Sequence, residues 1–124
     1  MKRGLFVGVT LCMFTSLALA QERAPEPTQN PSVPYRLFST SNIYTFLRLD
    51  TRNGLVWQLQ WGDKEHRFIE VINSTALVSG GRLGRFTLYP TSNIYTFILL
   101  DQDTGDAWQI QWGKADERLI VPIQ

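Results

Sequence analysis

From Tyr35 onward, apolar and polar side chains alternate in short runs of strand length, and nowhere do they recur at the spacing of three and four that a helical face requires. Residues 43–49 and 55–61 are rich in aromatic and β-branched side chains and flank Asp50-Thr51-Arg52-Asn53-Gly54. That five-residue stretch has turn chemistry. Asp bonds its own backbone two residues on, and Gly54 takes the positive φ that closes a type I turn with a bulge. The pattern therefore predicts a hairpin, with further strands at 66–72 and, leading the hairpin, at 35–39.

The whole arrangement then occurs a second time. The 33 residues from Thr40 to Ile72 align without a gap on those from Thr91 to Ile123 at an offset of 51, and 18 aligned positions are identical. Identity at that level makes the domain two copies of one supersecondary unit. The second turn, Asp101-Gln102-Asp103-Thr104-Gly105, keeps the Asp and the Gly that a turn needs. Strands are predicted at 85–89 and 117–123 to match the first copy. Residues 35–72 form repeat 1 and 85–124 repeat 2; between them residues 73–84, rich in Gly and Ser, read as a connector with one short strand at 76–78.

A four-residue loop at 51–54 places Arg48 opposite Trp57, Phe46 opposite Leu59 and Tyr44 opposite Trp61. Because side chains alternate along a strand, these share one face, termed here the aromatic face. In repeat 2 the same face carries Leu99 with Trp108, Phe97 with Ile110 and Tyr95 with Trp112. The opposite face, termed the amide face, holds Thr45, Leu47 and Leu49 against Val56, Gln58 and Gln60. A slip of one residue would pair aromatics with glutamines. The simplest expectation is that the repeated Tyr, Phe and Trp residues form a common core on a pseudo-two-fold axis, since large aromatics carry a heavy share of burial energy.

Gln58, Gln60, Gln109 and Gln111 are a different matter. Nothing in strand formation asks for glutamine, yet both copies keep both. Each amide offers two donors and acceptor lone pairs, which suits a ligand, a partner or a ladder where the repeats meet. With Tyr44, Tyr95, Trp61 and Trp112 they make up the candidate binding set. Thr40-Ser41-Asn42 and Thr91-Ser92-Asn93 read as turns in which side chains cap backbone groups. Arg67 and Arg118 are also kept, for pairing with a carboxylate or packing on a ring.

Composition narrows the chemistry further. Met1-Lys2-Arg3, an apolar run and Ala18-Leu19-Ala20 form the pattern of a secretory signal peptide over residues 1–20. Residues 21–34 hold four of the six prolines and few large apolar side chains, the composition of a flexible linker. The single cysteine, Cys12, lies in the leader, so the exported domain at 35–124 relies on its core without a disulfide. Twelve Lys and Arg, two of them in the leader, stand against eleven Asp and Glu, which gives no footing for nucleic-acid binding or an anionic membrane. No second apolar run has the length of a membrane anchor.

Other chemistries find little in this composition. Asp101, Asp103 and Asp106 have the alternation of a calcium loop but lack its distal Glu, and copy one has lost two of the three carboxylates. With one histidine and no cysteine after the leader, zinc has no ligand set, and no cofactor or metal is expected. Asp50 and Asp101 form a duplicated carboxylate pair of the type glycoside hydrolysis uses, but both occupy the position where a turn favours Asp. Asn73-Ser74-Thr75 has the spelling of a glycosylation acceptor.

Residues 49–57, LDTRNGLVW, resemble the hairpin of a quinoprotein-type β-propeller blade, with its Leu-Asp, Gly and Trp at similar spacing. The resemblance implies a shared hairpin geometry and no cofactor, since two blades do not close a propeller. The chain as a whole resembles short secreted bacterial proteins, which implies an exported location. The sequence thus predicts an all-β domain of two pseudo-symmetric four-stranded antiparallel repeats forming an eight-stranded sandwich or barrel. The expected function is non-enzymatic: a periplasmic or secreted module contacting a protein or glycan through a sheet face. The alternatives are a subunit that assembles with itself as a homo-oligomer and, more weakly supported, a carbohydrate-active enzyme.

Overall fold

A computed structural model describes residues 29–124; the expected signal peptide at residues 1–20 and residues 21–28 of the expected linker lie outside the described residues. The eight strands are β1 (Tyr35–Ser39), β2 (Thr45–Asp50), β3 (Val56–Gln60), β4 (Phe68–Val71), β5 (Phe86–Pro90), β6 (Thr96–Asp101), β7 (Ala107–Gln111) and β8 (Leu119–Ile123). They form two antiparallel meanders, β1-β2-β3-β4 and β5-β6-β7-β8, packed as a sandwich rather than closed into a barrel. The described residues include no helix, and hence none long and apolar enough to cross a membrane. The expected strand at 76–78 does not form. Its backbone is drawn instead to the first turn, where Leu77 N donates to Asn53 O at 2.8 Å.

Hairpin register follows the turn. Arg48 faces Trp57 and Phe46 faces Leu59 in repeat 1, as Leu99 faces Trp108 and Phe97 faces Ile110 in repeat 2. Gly54 adopts φ +80 and donates its N–H to Asp50 O at 3.0 Å, and Asp50 Oδ1 accepts from Arg52 N at 3.0 Å. The Thr-Ser-Asn triplets cap the strand that follows. Thr40 Oγ1 donates to Thr45 O at 2.8 Å and Asn42 Oδ1 accepts from Tyr44 N at 2.8 Å, with Thr91 and Asn93 repeating both bonds.

The core corrects the expectation of a shared aromatic centre. Repeat 1 buries its amide face, through Leu47, Leu49 and Val56, whereas repeat 2 buries its aromatic face, through Phe97, Leu99, Ile110 and Trp112. The sheets therefore stack front to back instead of front to front, and no two-fold relates them. Two substitutions account for the choice. Arg48 stands on the aromatic face of repeat 1 where repeat 2 has Leu99, and burying a guanidinium is far costlier than burying leucine. On the amide face Val56 is replaced in repeat 2 by Ala107, which offers less apolar surface. Each fully buried Leu, Val or Phe contributes about 1.5–3 kcal/mol.

Backbone bonds tie the repeats together at one end of the sandwich. Thr51 O accepts from Phe86 N at 2.9 Å, and Thr51 Oγ1 accepts from Gly84 N at 3.2 Å. The connector begins at Asn73, a buried residue whose amide accepts from Val56 N at 2.8 Å and donates to Gly54 O at 3.0 Å. Those two bonds use the Asn73 side chain inside the fold. At the other end of the chain, the Gln29 amide both donates to Leu37 O and accepts from Leu37 N, each at 2.6 Å, so a side chain stands beside β1 as a further strand would.

Candidate functional site

Just beyond the second strand of each hairpin, a tryptophan folds back over the strand entrance. Trp61 Nε1 donates to Ile43 O at 2.8 Å and packs on Tyr44, with ring centroids 5.0 Å apart. Trp112 does the same with Ile94 O at 3.1 Å and Tyr95 at 4.9 Å. The tilted contact is a favoured aromatic geometry. Local structure is thus the same in both copies, but the setting differs: Trp61 is 53% exposed and Trp112 only 5%. The difference arises because repeat 1 covers the aromatic face of repeat 2, while among the described residues nothing covers that of repeat 1.

Gln58 is the residue that joins the two repeats at this level. It is 3% exposed, and its Oε1 accepts from Gly113 N at 2.9 Å and from Arg118 Nε at 3.1 Å. Arg118 also lies over the Phe68 ring, 5.4 Å from its centroid. Beside this bridge opens a cleft of about 310 Å³ between the repeats, walled by Tyr95, Trp112 and Lys114 on one side and by Asn42, Thr45 and Gln60 on the other. A second cleft, about 510 Å³, lies at the equivalent place on repeat 1 and is walled by Tyr44, Gln60, Trp61, Gly62, Asp63 and His66, all from repeat 1 itself. A third depression of about 420 Å³ lies on the open aromatic face, over Leu37, Phe46, Leu59 and Ile69 and beside Arg67.

The candidate residues therefore divide. Tyr95, Trp112, Gln58 and Gln60 come together at the cleft between repeats. Tyr44 and Trp61 meet at the outer cleft, which Gln60 also reaches. Gln60 and Gln111 additionally fasten their own turns, donating to His66 O at 2.9 Å and to Glu117 O at 3.0 Å. Gln109 is set on the outward amide face of repeat 2, opposite Val121. The sequence reading placed Leu59 on the aromatic face but not Leu37 and Ile69 beside it, although all three positions stay apolar in both copies; in repeat 2 the matching Leu88, Ile110 and Ile120 are core or packed against it.

The duplicated aspartates are held by arginines. Asp50, almost fully buried, bonds Arg52 Nη2 at 2.9 Å; burial pushes its pKa up, and the bonds from the Arg52 side chain and backbone outweigh it and bring it below the ordinary value. Asp101 bonds Arg85 Nη2 at 2.8 Å, and that bond, against the opposing effect of burial, holds its pKa at about 2. Asp103 is engaged by Arg82 Nε at 3.0 Å. No group of three or more His, Cys, Asp or Glu suited to a metal ion occurs among the described residues.

Asp101 gives the fold an acid limit. Its pKa is depressed in the folded state, so its contribution to stability is complete above the unfolded value near 4 and is lost as pH falls toward 2. Asp101→Asn is expected to narrow its deficit relative to wild type by about 1–2 kcal/mol between pH 5 and pH 2. Urea titrations across that range measure the gap; a gap independent of pH would contradict the assignment.

No protein-family model, no curated protein and no solved structure matches this chain.

Proposed function

We propose that the chain is an exported, non-enzymatic interaction module that contacts a protein or glycan through the aromatic face of repeat 1. One observation carries this reading: repeat 1 leaves outward the face that repeat 2 buries in the core. Leu37, Trp61 and Ile69 stand exposed on it, where their counterparts Leu88 and Trp112 are buried. Contiguous exposed apolar surface of this kind is a mark of an interaction site. The signal-peptide pattern at residues 1–20 supports export. The arginine partners of Asp50 and Asp101 support a structural role for both rather than acid–base chemistry.

Leu59, half-buried at the centre of the open face, is the position to test. The immobilised chain is expected to retain a protein or glycan, its own soluble copies included, that immobilised Leu59→Asp does not retain. Retention indifferent to the substitution would remove the reading.

A further inference from the structure

The sandwich contains one interface in which an amide face receives an aromatic face, and each repeat owns both kinds of face. Among the described residues only half of them are used. The amide face of repeat 1 lies on the aromatic face of repeat 2. The aromatic face of repeat 1 and the amide face of repeat 2 are left outward, on opposite sides of the sandwich. We propose that these two faces meet between copies of this chain, and that the contact repeats head to tail until it closes a small ring. The inference rests on the reading that the aromatic face of repeat 1 is the contact surface, and it names a second copy as the occupant.

Retained residues point to that occupant. The internal interface uses Gln58, Gly113 and Arg118. Their counterparts are Gln109, Gly62 and Arg67, identical in type, yet the chain itself places Gln109 on one outer face and Gly62 and Arg67 on the other side. Strand formation does not require Gln109 or Arg67. A neighbouring copy would unite the three, with the Gln109 amide accepting from Gly62 N and Arg67 as Gln58 does from Gly113 and Arg118.

The clefts give the same answer. The one between repeats is completed by Asn42, Thr45, Gln58 and Gln60 from the amide side. The outer cleft beside Trp61 lacks that wall. Repeat 2 carries the missing set on its outward face, unchanged, as Asn93, Thr96, Gln109 and Gln111. The site is incomplete in a single copy, and a second copy supplies the residues that complete it.

The two outer faces also match in polarity. Strands β5 to β8 place no charged residue on the outward amide face, and Tyr89, Val121 and Ile123 are exposed there. The receiving face carries Arg48, whose guanidinium lies 4.6 Å from the Trp57 ring centroid and 5.5 Å from that of Tyr35. Stacking on rings keeps an arginine compatible with partial burial. Two aromatic faces placed against each other would instead oppose two copies of Arg48 and would leave Gln109 without a role.

A face-to-back contact is heterologous, so repetition gives either a ring or an open filament. Stacked four-stranded sheets close when about four to eight of them surround an axis, which corresponds to two to four copies of this chain.

The test uses protein exported and purified from cells expressing the full chain, with native mass spectrometry and sedimentation. A single species of two to four chains is expected. Leu59→Asp on the receiving face and Ile98→Asp on the outward amide face should each give monomer. Mixed together they should form a heterodimer, because each variant keeps one intact face. Gln109→Ala, too mild to unfold an outward position, should weaken assembly about tenfold. A wild-type monomer at every concentration, or an open-ended ladder of sizes, overturns the ring. Assembly that survives Ile98→Asp or Gln109→Ala unweakened but not Leu59→Asp overturns the head-to-tail contact while leaving the aromatic face as the contact surface. Assembly indifferent to Leu59→Asp overturns both.

Discussion

Trp112→Ala is expected to lower the stability of the monomeric chain by about 3–5 kcal/mol, and Trp61→Ala by no more than about 1–2 kcal/mol. The two tryptophans sit at equivalent positions of one duplicated motif, stack on equivalent tyrosines and donate to equivalent carbonyls. They differ in what covers them. Removing Trp112 opens a cavity beneath the sheet of repeat 1, while removing a 53% exposed Trp61 returns much of its site to water. Urea denaturation of dilute protein compares the midpoints directly. Equal losses would mean that the front-to-back arrangement is wrong, because only that arrangement makes the copies unequal.

Gly81→Ala should cost about 3 kcal/mol, the upper end of what overpacking produces. A Cβ at this position would lie 1.8 Å from the carbonyl oxygen of Arg52 and 3.1 Å from Val78 Cγ2. The first of these is backbone held in the turn by the Asp50 carboxylate, so it has little room to give. The requirement here is close approach of two chain segments, since the connector must lie flat across the first turn to deliver Phe86 to the Thr51 carbonyl. Gly80, its neighbour, faces open space at a positive φ. Thermal unfolding of Gly81→Ala should show the loss, and an unchanged midpoint would place the connector elsewhere.

These expectations show what the amino-acid order made legible. Local signals were enough for the hairpins: alternation set the faces, Asp50 and Gly54 set the turn, and the turn set the pairing of Phe46 with Leu59 and Arg48 with Trp57. The duplication gave two sheets of the same construction. It concealed, by its near identity, that the sheets use opposite faces. Both faces of the shared motif are apolar enough to be buried, so the choice fell to Arg48 against Leu99 and Val56 against Ala107. The same ambiguity hid the role of the glutamines. Gln58 and Gln109 stand in near-identical runs, Trp57-Gln58-Leu59-Gln60-Trp61 and Trp108-Gln109-Ile110-Gln111-Trp112, and the stacking makes one a buried bridge.

The lateral margins of the sheets have a consequence for growth. Unpaired backbone at a sheet margin is a template for uncontrolled strand addition. Here β1 has Leu37 occupied by the Gln29 amide, and β5 and β8 carry Pro90 and Pro122, which lack the N–H that an added strand would need. Lengthening a sheet sideways is obstructed on these three margins, whereas stacking sheet upon sheet is open at both ends. These margins turn the described sheets away from the cross-β route to amyloid.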